Sequence, residues 1–367
     1  MEYTKRIDTA LNEARKNIQP TANVTEKIRI VHRFLGEAHC YREIYVDGAA
    51  DPKKLYALMH SLITTFSPGL SASIMVMINT ILPVLMKYQG QTAVEAADAI
   101  LEGRMIAAFA VTEPAGGSFV FDVLNTKSES SSQGFVISGE KRFITNGHFA
   151  DLLLVLAKAS DNRNKWTNCA LFVIPGDQRG INREELAKHG LVDSPISSIK
   201  FNDVVVEESL CITRHSGAVD IFNAISKERS IIGVASLIVA ETAVNILKTS
   251  ISSSNLANIS GSRLELTLNW LDILSAKVGY LNSYRNIAME SQDKSLVSSL
   301  SKYKLAKGAE DIIEKIWELA AVLPLQPEVM NKIDSFYRDS KVFQIFAGTS
   351  DVMLDIIFDL TKTIKLS

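Results

Sequence analysis

The feature that most constrains the fold is that the sequence changes character twice along its length. Residues 1–104 carry apolar residues at helical spacing, as in the stretch LYALMHSLITTF. Residues 105–211 instead contain short runs rich in Val, Ile and Phe, separated by clusters of Gly, Asn, Asp and Ser, which is typical of strands. Long helical patterns resume near residue 217. The chain is therefore predicted to contain helices, then a sheet, then helices again.

This order excludes a doubly wound nucleotide-binding fold, in which strands and helices alternate and a G-x-G-x-x-G segment follows an early strand. With 367 residues, of which 47% are hydrophobic, the chain is long enough for several packed cores. The predicted fold class is α+β and multi-domain. We expect an N-terminal helical domain over 1–104, a central β-barrel-like or sheet domain over 105–212, and a C-terminal four-helix bundle over 213–367.

Within the central region, five runs are predicted to be strands: IAAFAVT, GFVISG, LLLVLA, CALFVI and SIKFNDVVV. Two polar stretches, 126–134 and 250–262, are predicted to be a hairpin loop and a connection between helices. The apolar run at 73–86 is too short to span a bilayer and contains Asn79 and Pro83. A buried core helix is predicted there, and no membrane span.

Charge and cysteine content limit the kinds of binding partner and site that the chain is expected to have. The 39 Lys and Arg against 41 Asp and Glu give a formal net charge of -2, which lacks the basic footprint of a nucleic-acid-binding protein. The three cysteines lie far apart and the six histidines show no metal-ligand spacing, so neither a disulfide framework nor a metal site is predicted. Because the first ten residues lack the apolar core of a secretory signal, we expect a cytoplasmic protein with small-molecule or protein partners.

A tight turn follows the first predicted strand, in the stretch AVTEPAGGSF at 110–119. Proline presets φ and paired glycines supply positive φ, so the turn alone has an ordinary structural explanation. Three further segments accompany it, however. The four together, in this order, resemble the acyl-CoA dehydrogenase family from Ala107 to the C-terminus: FAVTEPAGGS, KRFITNGHFAD, SSIKFNDVVVEESL and FYRDSKVFQIFAGTSDVMLDII.

The resemblance implies a flavoprotein that binds FAD. A flavin needs backbone N–H groups at its ring edge and an apolar wall, and a strand end that runs into a glycine turn supplies both. The positions that the resemblance assigns to the cofactor are Phe109, Val111, Thr112, Ser118, Phe143 and Thr145. Phe143 matches the aromatic residue that packs on the flavin and Thr145 the hydroxyl beside N5, whereas Phe143 alone would be interpreted as core packing. Ser118 is assigned to the substrate as well as to the pyrophosphate side of FAD.

The implied reaction is the dehydrogenation of an acyl thioester to the trans-2-enoyl thioester. A carboxylate removes the α-proton and the β-hydrogen passes as a hydride to flavin N5. N–H donors must polarise the thioester carbonyl, because the α-proton is otherwise far too weakly acidic. Many family members carry the carboxylate in a Tyr-Glu-Gly-Thr segment, where this sequence has Phe346, Ala347, Gly348 and Thr349. Ala347 and Gly348 are assigned to the substrate through their backbone, but the glutamate is absent.

Glu228 is the predicted replacement for this base. In a minority of the family the glutamate lies at the start of the first long C-terminal helix, immediately before an Arg, and the stretch SKERSII places Glu228 before Arg229, which is assigned to the substrate. The alternative is that Ser226 caps this helix and Glu228 merely favours the helix dipole in its first turn. Asp351 is a weaker candidate, because its carboxylate is short and is expected in the first turn of the helix after Thr349.

Two family contacts that reach FAD from a neighbouring subunit have no counterpart here. The position of an Arg falls in ANISG at 257–261, and that of a Gln-x-x-Gly-Gly segment falls in AAVLPLQP at 320–327. A charge-assisted bond to phosphate is among the stronger polar contacts, so its loss matters. Two functions follow. One is an active dehydrogenase, working as a homo-oligomer or as a hetero-oligomer with a related subunit. The other is a non-catalytic structural or regulatory subunit of a heteromeric complex.

The carrier of the thioester stays open, since CoA and an acyl carrier protein present the same pantetheine arm. The stretches 230–247 and 263–281 are apolar over more of their circumference than one buried face needs. This pattern predicts subunit contacts through the C-terminal helices. A thick bundle within one chain is the alternative.

Overall fold

The structure is a computed structural model that describes residues 2–46, 48–116, 124–159, 164, 166–253, 260–291 and 294–363. Its N-terminal part is helical, as predicted. The helices are α1 (Glu2–Asn17), α2 (Val24–Glu37), α3 (Pro52–Thr65), α4 (Pro68–Met75), α5 (Leu82–Leu85) and α6 (Gln91–Leu101), and a small hairpin joins β1 (Tyr45–Val46) to β2 (Ala49–Ala50). Local signals set several helix starts. Asn23 forms a capping box with Glu26 at α2, and Asp51 and Ser67 cap α3 and α4.

The apolar run at 73–86 is a buried helical segment, which confirms its prediction. Between α4 and α5 the backbone widens into a π-helical turn over Val76–Ile81, just before Pro83. Proline has no N–H and clashes with the preceding turn of an α-helix, so the wider turn accommodates it. Asn79 lies within this turn and is buried.

The central part is an eight-stranded mixed sheet with the order β10-β7-β6-β4-β5-β9-β8, and β3 pairs with β6. The strands are β3 (Ala107–Ala110), β4 (Lys127–Ser131), β5 (Gly134–Thr145), β6 (Leu152–Lys158), β7 (Cys169–Pro175), β8 (Ile181–Glu185), β9 (Ile196–Val206) and β10 (Cys211–Thr213). All five predicted strands are present. The prediction of a loop over 126–134 is wrong in part, because Lys127–Ser131 pairs with β5 as a mostly exposed strand whose polar side chains face solvent.

The C-terminal part is helical, as predicted. It contains α7 (Gly217–Ser253), α8 (Gly261–Glu290), α9 (Ser295–Ala321), α10 (Pro327–Phe343) and α11 (Ser350–Thr363). Helix α9 packs against α8, α10 and α11. Two segments, Pro68–Leu85 and Gly217–Ile251, are long and apolar enough to cross a membrane, but an apolar stretch of 18 residues in each is 94% and 78% buried, respectively. Burial of this extent is typical of core helices.

The chain packs into two compact units. One comprises residues 1–188 and 192–228, and the other comprises residues 189–191 and 229–367. The boundary falls within α7, so this helix contributes to both. The division into three domains at 104/105 and 212/213 stays a prediction.

Candidate active site

The first motif continues strand β3 past its last residue. Strand β3 runs parallel to β6, with Phe109 opposite Leu154. Beyond the strand, the Val111 N–H donates to the Phe109 carbonyl at 3.1 Å. Val111 is buried, whereas the side chains of Phe109 and Thr112 are half-buried and keep part of their surface accessible.

The second motif lies on a β-bulge. The register of β5 against β9 shifts between Lys141 and Ile144, so β5 carries one residue more than its partner. Phe143 lies in this bulge with φ of 60° and exposes 54% of its surface. Positive φ is costly for an aromatic residue, and such strain is concentrated at functional sites. The bulge therefore holds the large Phe143 side chain at the solvent-exposed surface.

The two motifs are directly bonded to each other. The Arg142 N–H, beside Phe143 in the bulge, donates to the Thr112 carbonyl at 2.9 Å. Thr145 follows the bulge at the end of β5 and is buried at 6% exposure. The structure therefore brings Thr112 and Phe143 onto neighbouring segments, while their role toward a cofactor stays a prediction.

A buried ion pair fastens the same two segments, and the sequence analysis missed it. Lys141 Nζ lies 2.9 Å from Glu113 Oε1, with the two side chains 0% and 2% exposed. Lys141 also donates to the Val111 carbonyl at 3.1 Å. The signal was present in strand periodicity, since Phe135, Ile137 and Lys141 fall on the same inward parity of β5.

The electrostatics of the pair follow from burial. Glu113 accepts the backbone N–H groups of Asn125 at 2.7 Å and Thr126 at 2.9 Å. Although burial acts in the opposite direction, Lys141 and these N–H donors together lower the pKa of Glu113. Burial lowers the pKa of Lys141 to about 8, against the opposing effect of Glu113. We interpret the pair as an ionic clamp between the two motifs.

Asn146 is a second residue that the sequence analysis missed. It directly follows Thr145, has φ of 64° and is fully buried. Its side-chain Nδ2 donates to the Ser73 carbonyl at 2.9 Å and to the Ala107 carbonyl at 3.3 Å. Asn146 therefore ties the end of β5 to α4 and to the start of β3.

The tight turn of the first motif is described as far as Gly116. The Gly116 N–H donates to the Glu113 carbonyl at 2.9 Å, and Gly116 has φ of 114°, which favours glycine. Ser118, predicted to contact both FAD and substrate, lies outside the described residues.

A second cluster surrounds the turn between α10 and α11. Ala347 and Gly348 both have positive φ, at 57° and 98°. The positive φ of Gly348 favours glycine there, whereas the nearby Met353 Cε is the end of a flexible side chain that could move aside. Thr349 accepts the Val352 N–H at 3.3 Å and begins α11.

Two basic side chains donate to carbonyls of this turn. Lys302 Nζ donates to the Gln344 carbonyl at 3.2 Å and to the Gly348 carbonyl at 2.5 Å. Arg229 Nε donates to the Ala347 carbonyl at 3.4 Å. Burial, together with the Arg229 charge, lowers the pKa of Lys302 to about 7. The sequence analysis named Arg229 and the two turn residues but missed Lys302.

Glu228 immediately precedes Arg229 and is half-buried. It lies in the interior of α7, so the prediction that it stands at the start of this helix is wrong. The alternative explanation, in which Ser226 caps the helix, is wrong. Helix α7 begins at Gly217, and Ser226 is an interior residue whose Oγ donates to the Phe222 carbonyl at 3.1 Å. Asp351 lies in the first turn of α11, as expected.

The segments expected to lack family contacts are only partly described. Residues 257–259 lie outside the described residues, and α8 begins at Gly261. Helix α9 ends at Ala321, and α10 begins at Pro327. Across the part of the chain that the structure describes, no group of three or more His, Cys, Asp or Glu side chains could hold a metal ion.

Comparison with known proteins identifies the family. Residues 108–204 match the acyl-CoA dehydrogenase middle domain and residues 215–360 match the acyl-CoA dehydrogenase C-terminal domain. The chain belongs to the acyl-CoA dehydrogenase family. Homologues in this family are flavin oxidoreductases, and its members bind FAD, which confirms the predicted class.

Proteins similar in sequence to this chain are named for several different enzymes. The chain is 26% identical to the 3-(aryl)acrylate reductase of Clostridium sporogenes (strain ATCC 15579), over 70% of this chain and 69% of that protein. It is 27% identical to the probable medium-chain specific acyl-CoA dehydrogenase 2 of Caenorhabditis briggsae, over 74% of this chain and 65% of that protein. A 113-residue stretch is 32% identical to the L-prolyl-[peptidyl-carrier protein] dehydrogenase of Serratia sp. (strain ATCC 39006), covering 30% of this chain and 29% of that protein.

Solved structures confirm the predicted fold class. Butyryl-CoA dehydrogenase from Megasphaera elsdenii superposes with a TM-score of 0.84 at 16% identity, over 99% of this chain and 98% of that chain. Glutaryl-CoA dehydrogenase from Mycobacterium smegmatis in complex with FADH2 superposes with a TM-score of 0.82 at 17% identity, over 100% and 96% of the two chains.

Proposed function

We propose that this chain is a flavin-dependent dehydrogenase that converts an acyl thioester to its trans-2-enoyl thioester. The observation that carries the proposal is the strained bulge at Phe143, bonded to the Thr112 carbonyl through Arg142. An exposed aromatic side chain held at positive φ beside an accessible strand end fits a flat ring system. Bound FAD would accept the β-hydrogen of the substrate as a hydride.

Residues of both motifs contact the cofactor, each at a different part of it. Phe143 provides an aromatic surface, and the backbone after Phe109 and the Thr112 side chain provide polar contacts at the ring edge. Thr145 supplies the hydroxyl. Ser118 is kept in the proposal as a contact for the pyrophosphate and for the substrate.

The substrate is activated by a base and by hydrogen-bond donors. Glu228 removes the α-proton, and the backbone N–H of Ala347 binds the thioester carbonyl, with Gly348 and Arg229 completing the substrate contacts. A carboxylate and N–H donors are both needed, because the α-proton becomes acidic only when the carbonyl is polarised. The alternative is that Glu228 only interacts favourably with the helix dipole in a first turn. It fails, because α7 begins at Gly217, eleven residues before Glu228.

The decisive experiment is anaerobic mixing of the flavin-loaded protein with acyl thioesters. Flavin is detected by the visible absorbance of the purified protein and by its release on denaturation. Bleaching of that absorbance, together with formation of the enoyl thioester, is the expected result. Flavin-loaded protein that stays oxidised with every acyl thioester tested contradicts the proposal.

The carrier is tested in the same experiment by offering one acyl group on CoA and on an acyl carrier protein. Relatives are named for both kinds of carrier, as in the probable medium-chain acyl-CoA dehydrogenase and the prolyl-carrier-protein dehydrogenase. The ratio of the two reduction rates at low substrate concentration measures which carrier the chain prefers.

We further propose that the active form is an oligomer, paired through α8. Four exposed residues repeat every seven positions on this helix: Leu266, Ile273, Tyr280 and Ile287, exposed by 57%, 55%, 59% and 50%. Apolar residues at seven-residue spacing are typical of a helix seam. An antiparallel pairing with a second copy would set Leu266 against Ile287 and Ile273 against Tyr280, and would also set Arg263 against Glu290.

The second candidate function is a non-catalytic subunit of a heteromeric complex. Ala347 favours it, because the usual carboxylate is absent from this turn. A protein that purifies without flavin, or together with a related chain that carries all the flavin, would support this function over the first.

A cytoplasmic location remains part of the proposal. Cys40, Cys169 and Cys211 are thiols rather than disulfides, and the first two are buried. Cysteines that stay in the thiol form are typical of a reducing compartment.

A further inference from the structure

Lys302 is the most unusual residue of the second cluster, because its ammonium group is buried and bonds to backbone carbonyls rather than to a carboxylate. Its side chain lies on α9 at 0% exposure, and its donors go to two backbone carbonyls. Burying an ammonium group is costly, because the group loses its hydration. A side chain of this kind is retained where its hydrogen bonds set a geometry.

The carbonyls it holds belong to a turn under backbone strain. Ala347 has φ of 57° without being glycine, and Gly348 follows at 98°. Lys302 holds the carbonyls on either side, those of Gln344 and Gly348, and Arg229 holds that of Ala347. The strained turn is thus fixed at three of its carbonyls by two basic side chains.

Fixing these carbonyls also fixes the opposite edge of the turn. In a trans peptide the N–H points away from the carbonyl of the same plane. The Gly348 N–H shares its plane with the Ala347 carbonyl and therefore points away from Arg229. Among the described residues, neither the Ala347 N–H nor the Gly348 N–H donates to an acceptor. Successive N–H groups in a turn of this kind form a concave site for a partially negative oxygen.

We propose that Lys302 is a positioning residue of the reaction: it holds the 344–350 turn so that the N–H groups of Ala347 and Gly348 polarise the substrate's thioester carbonyl. This inference rests on the proposed function. The Arg229 charge on the Ala347 carbonyl polarises that peptide and strengthens the Gly348 N–H as a donor. Lys302 bonds to the flanking Gln344 and Gly348 carbonyls, so it fixes the turn that carries both N–H groups and does not touch the substrate.

Close packing of α7 against α9 fixes where the Lys302 side chain starts. A Cβ on Gly233 of α7 would lie 3.0 Å from the Lys302 Cα, so a larger residue there would push the two helices apart by a few tenths of an ångström. The Lys302 side chain therefore begins where α7 and α9 pack closely, and its Nζ bonds to the turn.

The test compares Lys302→Met and Lys302→Gln with the wild-type flavoprotein. Methionine keeps the length of the side chain and removes the donors, whereas glutamine keeps a donor without the charge. Lys307→Met is the matched control, since Lys307 lies on the same helix and pairs with Glu310 at 2.9 Å. Two quantities are measured: the rate of flavin reduction at saturating acyl thioester, and the infrared carbonyl band of a bound thioester labelled with carbon-13 at the carbonyl.

We expect Lys302→Met to lower the saturating rate about 10-fold to 100-fold, somewhat less than the direct loss of an oxyanion donor. Its carbonyl band should move back toward that of free thioester, and Lys302→Gln should lie between Met and wild type. Lys307→Met should match wild type in both quantities. A merely structural role would lower thermal stability and leave the carbonyl band of the folded fraction in place.

Wild-type values of the rate and the carbonyl band in Lys302→Met overturn the assignment. If Lys302→Met does not fold, the Lys302→Gln variant decides in the same way, since an unshifted band there has the same meaning. If the wild-type protein neither reduces its flavin nor shifts the carbonyl band with either carrier, the proposed function itself fails, and this assignment fails with it.

Discussion

At the scale of single residues, the site depends on buried charge more than on exposed charge. Glu113, Lys141, Arg229 and Lys302 are all buried. The three basic side chains each donate to the carbonyl of a predicted site residue, and Glu113 pairs with Lys141. Exposed ion pairs contribute little, whereas breaking a buried one leaves an uncompensated charge in the interior. These residues fix the positions of their neighbours and need not touch the substrate.

The Glu113 and Lys141 pair yields a prediction about stability. Lys141→Met leaves the Glu113 carboxylate buried and unpaired, so we expect the free energy of unfolding to fall by about 3–5 kcal/mol. The double variant Glu113→Gln with Lys141→Met should recover most of this loss, because no buried charge remains. Urea unfolding of the single and double variants measures both values. Additive losses in the double variant would show that the two side chains are not coupled.

Phe143 yields a prediction about cofactor binding. Because its side chain is 54% exposed, Phe143→Ala should change the free energy of unfolding by only about 0.5 kcal/mol. The same variant should lose flavin on dilution at least several-fold more readily, since the aromatic surface is gone. Val205→Ala, an exposed position on the neighbouring strand β9, is the control. Equal flavin retention in the two variants would contradict the role of Phe143.

His32 yields a prediction about pH. Its Nδ1 lies 3.0 Å from Tyr41 Oη and its Nε2 lies 3.1 Å from the Met105 carbonyl. Burial lowers the pKa of His32 from 6.5 to about 4. Between these two values the unfolded chain binds more protons than the folded one, so the contribution of His32 to stability is present above pH 6.5 and is lost as the pH falls toward 4.

The corresponding measurement compares wild type with His32→Gln, which does not titrate. The pH dependence of unfolding should be steeper for wild type between pH 4 and 6.5, by about 3 kcal/mol across the window. Carboxylates contribute equally to both proteins and cancel in the difference. Parallel curves would mean that His32 is protonated normally in the fold.

At the scale of elements, the sequence predicted the elements that a periodic pattern of apolar residues marks. It missed the features that only the pairing of strands in three dimensions reveals. The central strands were predictable because apolar runs bounded by turn residues mark buried strands. Strand β4 was not predictable, since its polar side chains face solvent and only pairing with β5 reveals it. The bulge at Phe143 depends on how β5 pairs with β9, which one-dimensional patterns do not record.

Helix α8 yields the prediction at this scale. A charge placed in its exposed seven-residue repeat would be buried without a partner in an α8 pair, so Ile273→Glu should convert an oligomer to a smaller species. Leu268→Glu, at 46% exposure but off the repeat, should leave the assembly intact. Light scattering of both variants at micromolar concentration measures the outcome. A wild-type monomer, or equal masses for the two variants, would rule out this seam.

At the scale of the whole molecule, the predicted site residues are divided between the two compact units. The aromatic bulge and the Thr112 segment belong to the first unit, and the strained turn with Lys302 belongs to the second. The order of four motifs was enough to predict the family. The buried contacts of Lys141 and Lys302 were not predictable in the same way, because Glu113 lies 28 residues from Lys141 and Gly348 lies 46 residues from Lys302.

The last prediction concerns the base. Glu228 is the last residue of the first compact unit. Arg229, the next residue of α7, donates to the Ala347 carbonyl, in the turn where the usual glutamate of the family is absent. If Glu228 removes the α-proton, Glu228→Gln keeps the shape of the side chain and removes its basicity. Flavin reduction by acyl thioester should then slow by on the order of 10²–10⁴-fold, while thioester binding changes little.

The matched control is Glu241→Gln, a half-buried glutamate further along α7. Ala347→Glu in the Glu228→Gln background returns a carboxylate to the turn, and recovery of the rate would show that the α-carbon is accessible from either anchor point. An undiminished rate in Glu228→Gln excludes Glu228 as the base and leaves the dehydrogenase itself in place.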